Sequence, residues 1–207
     1  MDLNQARFNM IEQQIRPWEV LDPQVLNLLS VVHREDFVPL AHKALAFVDM
    51  EIPLGSAPGQ VMLAPRVQAR LLQELALKKT DKVLEVGTGS GFMAALMAHQ
   101  ADSVLSLELD ASLAAQAQAN LQKAGVKNVT VRTADGSQGA PADAPFDAIL
   151  LSGSVAQVPS ALLQQLDQLK PGAALALNQH ILPRERWEQH IVQDGDQILL
   201  FQVIAGG

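Results

Sequence analysis

Apolar positions fall at helical spacing through the first third of the chain, and from Pro65 onward short apolar runs alternate with helical stripes. Phe8, Ile11 and Ile15 predict a helix over 4–16, ended by Pro17. Asp22-Pro23 then opens a second helix as cap and first-turn proline, with Val25, Leu26, Leu29 and Val32 on its apolar face. Residues 37–55 have Pro39 and Pro53, mixed polarity and no period, which predicts an irregular arm with short extended pieces. After the Gly59-Gln60 loop, Val67, Leu71, Leu72 and Leu75 mark a helix from Pro65 to near Lys78.

The remainder reads as βα units. Strands are predicted from Val83, over 103–107, 128–133, 146–151 and 173–177. Helices are predicted over 91–99, along the Leu113, Ala117 and Leu121 face, and over 159–169 with Leu162, Leu163, Leu166 and Leu169, closed by Pro171-Gly172. At the end, 187–193 and 197–204 flank Asp194-Gly195-Asp196, a turn that predicts an antiparallel hairpin on the sheet edge. The pattern describes a doubly wound α/β fold, mostly parallel, with an N-terminal helical arm and a C-terminal hairpin.

Chemistry concentrates on Lys82-Val83-Leu84-Glu85-Val86-Gly87-Thr88-Gly89-Ser90-Gly91-Phe92, a strand running through a glycine turn into a helix. Glycines at 87, 89 and 91 let a ligand approach the backbone, and the helix start offers unpaired N–H donors. Several nucleotide folds use such a turn, so the surrounding acids decide between ligands. Glu85 precedes the first glycine, where a dinucleotide gains nothing from a carboxylate but an ammonium gains a partner. Glu108 ends the next strand, the position from which a carboxylate accepts from ribose hydroxyls. Asp135-Gly136, past the third strand, can aim an acceptor at an adenine amino group. Together these acids fit an ammonium, a ribose and an adenine without pyrophosphate. That set favours S-adenosylmethionine over the alternative, an NAD-type dinucleotide.

A chain of 207 residues, 48% hydrophobic, predicts one domain over 1–207, divided into an arm region (1–64) and a cofactor-binding α/β core (65–207). A net charge of -7 and a pI near 5.1 argue against a broad nucleic-acid surface. With no cysteine, no basic leader and no bilayer-length apolar run, the expectation is a cytoplasmic protein without a membrane partner. The histidines at 33, 42, 99, 180 and 190 lack metal-ligand spacing, so no metal is expected. Met62, Met93 and Met97 are either core or the apolar side of the cofactor site. Ser152 and Ser154, after the fourth strand, are either a small-residue loop or polar contacts to an acceptor.

From Met10 to the C-terminus the chain resembles the protein-L-isoaspartate O-methyltransferase family. The motifs are Met10-Ile11-Glu12-Gln13-Gln14-Ile15, Arg34-Glu35-Asp36-Phe37-Val38-Pro39, Ala46-Phe47-Val48-Asp49 with Ile52-Pro53-Leu54-Gly55, the glycine turn, and Asp135-Gly136-Ser137-Gln138-Gly139. The resemblance implies a Rossmann-like methyltransferase fold with a seven-stranded sheet, and methyl transfer to isoaspartyl carboxyls of damaged proteins. It also implies adenosylmethionine contacts from Glu85, Gly87, Thr88, Gly89, Ser90, Gly91, Glu108, Leu109, Asp135 and Gly136. Departures fall where the family places its acceptor site. Between Gly59-Gln60 and Pro65 the family has Thr-Ile-Ser, whereas this chain has Val61-Met62-Leu63-Ala64, and Phe47 stands at a usual Tyr. Leu63 therefore occupies the position of the serine that helps hold the acceptor carboxylate, and Val61 that of the threonine. The expectation is retained cofactor binding with weak or absent isoaspartyl methylation. Retargeting to another acceptor, or a non-catalytic adenosylmethionine-binding or interaction protein, are the alternatives. Oligomeric state is not readable.

Overall fold

A computed structural model describes residues 2–55, 57–152 and 159–166, and the backbone of three further strands. Helix α1 (Leu3–Met10) is capped by Asp2, whose carboxylate accepts from the N–H groups of Asn4 and Gln5. The helical path then continues as a π-turn over Ile11–Ile15 and a 3-10 turn over Arg16–Trp18, so Pro17 lies inside the last turn. Met10, Ile11 and Ile15 face the core, whereas Phe8, expected inside, is 58% exposed. The wider π-turn shifts the helical phase, placing Met10 rather than Phe8 in line with Ile11 and Ile15. Helix α2 (Pro23–Val31) begins as the sequence predicts, with Asp22 accepting from Gln24 and Val25 N–H groups.

After a 3-10 helix over Leu40–Leu45, strands β1 (Ile52–Pro53) and β2 (Val61–Met62) pair antiparallel within the arm. Helix α3 (Pro65–Leu75) stops short of Lys78 because Ala76 takes a left-handed conformation, φ +45°. Its buried side is Pro65, Gln68, Ala69 and Leu72, and Val67 is 39% exposed. The expected stripe is thus rotated, because Gln68 is drawn inward by the buried Arg34.

The α/β unit consists of β3 (Lys82–Val86), α4 (Phe92–Ala98), β4 (Ser103–Glu108), α5 (Ala111–Lys123), β5 (Val129–Thr133) and β6 (Ala148–Leu151). Its four strands form a parallel sheet in the order β5-β4-β3-β6. Helix α4 is buried at every position, so it carries no polar face. Helix α6 (Ser160–Leu163) is one turn rather than the predicted run to 169, since Phe146 N–H donates to the Gln165 carbonyl and Phe146 bridges Leu166. Leu169, Pro171 and Gly172 lie outside the described residues.

Strands β7 (Ala173–Leu177), β8 (His180–Leu182) and β9 (Ile198–Gln202) form a separate antiparallel sheet, ordered β8-β7-β9. Among the described residues the α/β core thus has a four-stranded parallel sheet and a separate three-stranded antiparallel one instead of the single seven-stranded sheet expected, and 173–177 does not extend the parallel ladder. The expected partner of β9, residues 187–193, lies outside the described residues; β9 pairs with β7 instead. Antiparallel pairing needs only a short connection, and β8 starts at His180, close behind the Leu177 end of β7.

A single hydrophobic cluster joins the arm region to the sheet. Ile15, Leu29, Phe37, Phe47, Ile52 and Met62 share it with Leu72, Val83, Phe92, Leu96 and Val104.

Candidate active site

At the C-terminal edge of the parallel sheet, β3 runs into the glycine turn. Gly91, at φ +84°, caps α4, and a Cβ there would come within 3.2 Å of the Ala117 carbonyl and 3.3 Å of Leu121. Both the conformation and the close approach of α5 require glycine. Gly89, at φ +53°, lies against Leu54 of the arm, where a Cβ would stand 3.1 Å from Cδ1. The turn is pinned from α5, where the Asn120 amide donates to the Ser90 carbonyl at 3.0 Å. It is pinned from β4 as well, where Gly87 N–H donates to the Leu107 carbonyl at 2.8 Å.

Glu85 has no solvent exposure, and Ser106 is its register partner on β4. The Ser106 hydroxyl donates to Glu85 Oε2 at 2.6 Å and the Ser152 hydroxyl to Oε1 at 3.1 Å. Thr88 Oγ1 stands 2.5 Å from Ser106 Oγ and extends the chain of hydroxyls. Burial pushes the Glu85 carboxyl up to about 8, the serine bonds pull it back, and the charge of Glu108 adds to the rise. Glu108 accepts from Gly89 N–H at 2.8 Å and Asp110 N–H at 3.1 Å, which leaves each carboxylate oxygen with further lone pairs.

One cleft, about 270 Å³ including its open mouth, collects most of the predicted residues. Glu85, Gly87, Thr88, Gly89 and Ser90 form one wall; Val61, Met62, Leu63 and Leu54 of the arm form the other, with Gln68, Met93 and Ser152 between them. Glu108 adjoins this cleft through its bond to Gly89 rather than lining it. Gly136 is buried beside Val86. Asp135 is exposed and caps the 3-10 turn Gly136–Gln138, and its bonds to Ser137 hold its carboxyl below the usual range. Leu109 is 74% exposed and is not among the residues lining the cleft. Of the methionines, Met62 and Met93 line the cleft and Met97 is fully buried core. Ser154 lies outside the described residues.

Three groups have no counterpart in the sequence-based site. Ser106 is the middle polar residue of an apolar strand, and that interruption is the signal by which it could have been found. Arg34 is 1% exposed and donates to the carbonyls of Ala46 (3.0 Å) and Leu63 (2.9 Å) and to the Gln68 amide oxygen. Burial pushes its guanidinium down to about 9, against the pull of Asp49. Arg34 thus fixes the backbone at Leu63 whatever side chain that position carries. Gln60 donates to Asp110 Oδ2 at 2.8 Å, clasping the arm to the start of α5.

Known proteins share both the sequence and the architecture. Residues 5–194 match the family described as protein-L-isoaspartate(D-aspartate) O-methyltransferase (PCMT). A Syntrophobacter fumaroxidans relative, protein-L-isoaspartate O-methyltransferase 1, is 40% identical over 166 residues, 80% of this chain and 77% of that one. A Marinobacter nauticus relative, protein-L-isoaspartate O-methyltransferase 2, is 41% identical over 165 residues, 80% of this chain and 74% of that one. A solved Plasmodium falciparum structure, provisionally assigned as a protein-L-isoaspartate O-methyltransferase and complexed with S-adenosyl-L-homocysteine, superposes with TM-score 0.64. At 17% identity, over 99% of this chain and 96% of that one, it shows a shared fold. The chain belongs to the protein-L-isoaspartate(D-aspartate) O-methyltransferase family, and through it to the enzymes that transfer methyl groups from S-adenosylmethionine.

Proposed function

We propose that this chain binds S-adenosylmethionine at the glycine turn and is a carboxyl methyltransferase whose activity toward isoaspartyl residues is weak or lost. The observation that carries this reading is the cleft itself. Val61 and Leu63, which replace the family's hydroxyls, face the same space as Glu85 and the glycine turn.

The residues present fit the cofactor. Glu85 is a buried acid whose described bonding partners are two hydroxyls, which suits an incoming ammonium. The glycine-rich turn over 87–91 and the start of α4 offer N–H donors to the amino-acid carboxylate. Glu108, beside Leu109, serves the ribose, and Asp135-Gly136 the adenine. When bound, the cofactor supplies a sulfonium-borne methyl group, an electrophile.

An acceptor carboxylate is already ionised near pH 7, since carboxyl pKa values lie about 4, so the chain need not supply a general base. Its task is to align the acceptor oxygen and exclude water. Replacing a hydroxyl by Leu63 removes a bond to a charged group, about 1.5–3 kcal/mol, and puts an alkyl group that cannot solvate an anion in its place. Arg34, holding the Leu63 carbonyl, keeps the arm in position for binding while the side chain no longer contributes. The protein partner proposed is accordingly a peptide or protein with an isoaspartyl carboxyl, met in the cytoplasm. Among the described residues, no helix is long and apolar enough to cross a membrane.

The test is methyl transfer from labelled adenosylmethionine to an isoaspartyl peptide. The wild type is expected to turn over far more slowly than a relative with Thr-Ile-Ser in the arm, and Leu63→Ser with Val61→Thr to raise kcat/KM by about ten- to a hundredfold. Ordinary turnover by the wild type overturns the proposal of lost activity. The aliphatic wall of Leu54, Val61, Met62 and Leu63 favours retargeting as the second reading. That reading gains if the cofactor binds and the double substitution restores nothing.

A further inference from the structure

Glu85 is wholly buried in the middle of a parallel sheet, and no ionic partner for it is found among the described residues. An apolar side chain would serve the sheet better, because a buried acid has a desolvation cost that hydroxyl bonds only partly offset. What surrounds the acid is ordered in a specific way. When Glu85 is ionised, the Ser106 hydroxyl gives its one proton to Glu85 Oε2, and Thr88 is then the donor in the 2.5 Å Thr88–Ser106 contact. Ser152 takes the other oxygen from the end of β6, the strand on the opposite side of β3. Each carboxyl oxygen is thus held from a different neighbouring strand, and rotation of the carboxyl about its last bond would break both contacts.

We propose that Ser106 and Ser152 are positioning residues for the cofactor's amino group: acting through Glu85, they fix its carboxyl and favour the ionised form that an arriving ammonium needs. This rests on the cofactor site proposed above and names which part of the ligand the serines discriminate.

The hydroxyl chain serves both protonation states. When Glu85 is neutral, its proton is donated to Ser106 Oγ and the chain reverses toward Thr88; when it is ionised, both serines donate inward. At neutral pH the free protein holds Glu85 protonated, consistent with its rise to about 8. An ammonium entering beside it leaves a carboxylate–ammonium pair and releases one proton to solvent. Of the groups facing Glu85, Glu108 on β4 carries a like charge and disfavours ionisation. Gln68 on α3, Leu63 on the arm, Met93 on α4 and Ser152 after β6 are uncharged, and Arg34 stands behind Gln68. A cationic ligand therefore meets a protonated acid that both serines hold in place and that no cation among the described residues has already paired.

The experiment is titration calorimetry with S-adenosylhomocysteine, whose amino group stays cationic over the range used, and with 5′-methylthioadenosine, which lacks the amino-acid part. In wild type, affinity for S-adenosylhomocysteine is expected to rise about tenfold per pH unit from about pH 6 and to level off near the Glu85 value. Measurements in buffers of different ionisation enthalpy are expected to show most of one proton released at pH 7. Methylthioadenosine affinity is expected to stay flat with pH. Ser106→Ala is expected to weaken S-adenosylhomocysteine about tenfold and to move the levelling-off upward, with methylthioadenosine unchanged. Ser106→Thr, which keeps a hydroxyl, is expected to restore the wild-type profile, and Ser152→Ala to act in the same direction as Ser106→Ala. Equal losses for both ligands with an unmoved pH profile overturn the proposal. So does wild-type binding without proton release, a result that needs no variant to fold. Failure of both ligands to saturate the wild type would instead sink the cofactor site itself.

Discussion

A carboxyl group with no solvent exposure, as at Glu85, works against the folded chain wherever it must ionise. Its folded value lies above its unfolded one, so the native state holds the extra proton between about pH 4.5 and 8. Its contribution to stability is full below that window and is lost as pH rises through it. Glu85→Gln keeps both serine contacts without a charge. It is expected to raise the melting temperature at pH 8 by several degrees, at about 2–4 °C per kcal/mol for a chain of this size, while abolishing S-adenosylhomocysteine binding. Scanning calorimetry with and without ligand checks both halves; an unchanged melting temperature removes the argument from burial. Gly136 is constrained by space. A Cβ there would overlap the Val86 side chain, a stiff β-branched group, so Gly136→Ala is expected to cost about 1–3 kcal/mol in denaturant unfolding. Both residues were conspicuous in the sequence because acid and glycine are unusual beside apolar strands. Ser106 shows in the sequence only as a polar break in an apolar strand; its importance comes from register with Glu85, and register is a property of the paired strands.

At the scale of elements, the arm is held by side chains that no periodicity announces. Arg34 bonds two carbonyls and the Gln68 amide, tying the arm to α3, and its guanidinium stacks 5.4 Å above the Phe92 ring. Arg34→Met would leave three acceptors without this donor, two of them buried, and is expected to destabilise by about 3–5 kcal/mol, read from urea unfolding. A loss under about 1 kcal/mol would mean that the arm does not depend on this residue. The Gln60–Asp110 clasp is an exposed-edge contact of a different kind, between the loop after β1 and the cap of α5. Gln60→Ala is expected to leave stability within about 0.5 kcal/mol but to raise the dissociation rate of S-adenosylhomocysteine in stopped-flow fluorescence. Helix starts were legible here, through the Asp22 cap with Pro23 and through Pro65, because caps and prolines act locally. The rotated face of α3 was not, because Gln68 is buried by a partner 34 residues away.

For the whole molecule, the acids pull in opposite directions along the pH axis. Asp110, held at about 2 by Ser112, Leu113 and Gln60, and Asp135 and Asp143, also held low, contribute stability that is lost as pH falls through the acid range. Glu85 contributes stability that is lost as pH rises toward 8. The ligand-free protein is therefore expected to be most stable near pH 5, close to its pI of 5.1, and saturating S-adenosylhomocysteine is expected to move that optimum upward. A ligand-free optimum at pH 8 in thermal unfolding would contradict the burial of an unpaired Glu85. The parallel sheet was legible because buried strands read as apolar runs. The antiparallel setting of β7 was not, since a short apolar run carries no sign of its direction.

Phe92 is the first residue after the glycine turn, the ring beneath Arg34, and the edge-on partner of Phe37 at 5.4 Å. One aromatic ring is therefore a shared bearing for the arm and the turn. Disturbance of its contacts with Arg34 or Phe37 is expected to reach the glycine turn. Selection for new acceptors at the arm will accordingly tend to change cosubstrate affinity as a by-product, and variants that broaden one without harming the other should carry compensating changes around this ring.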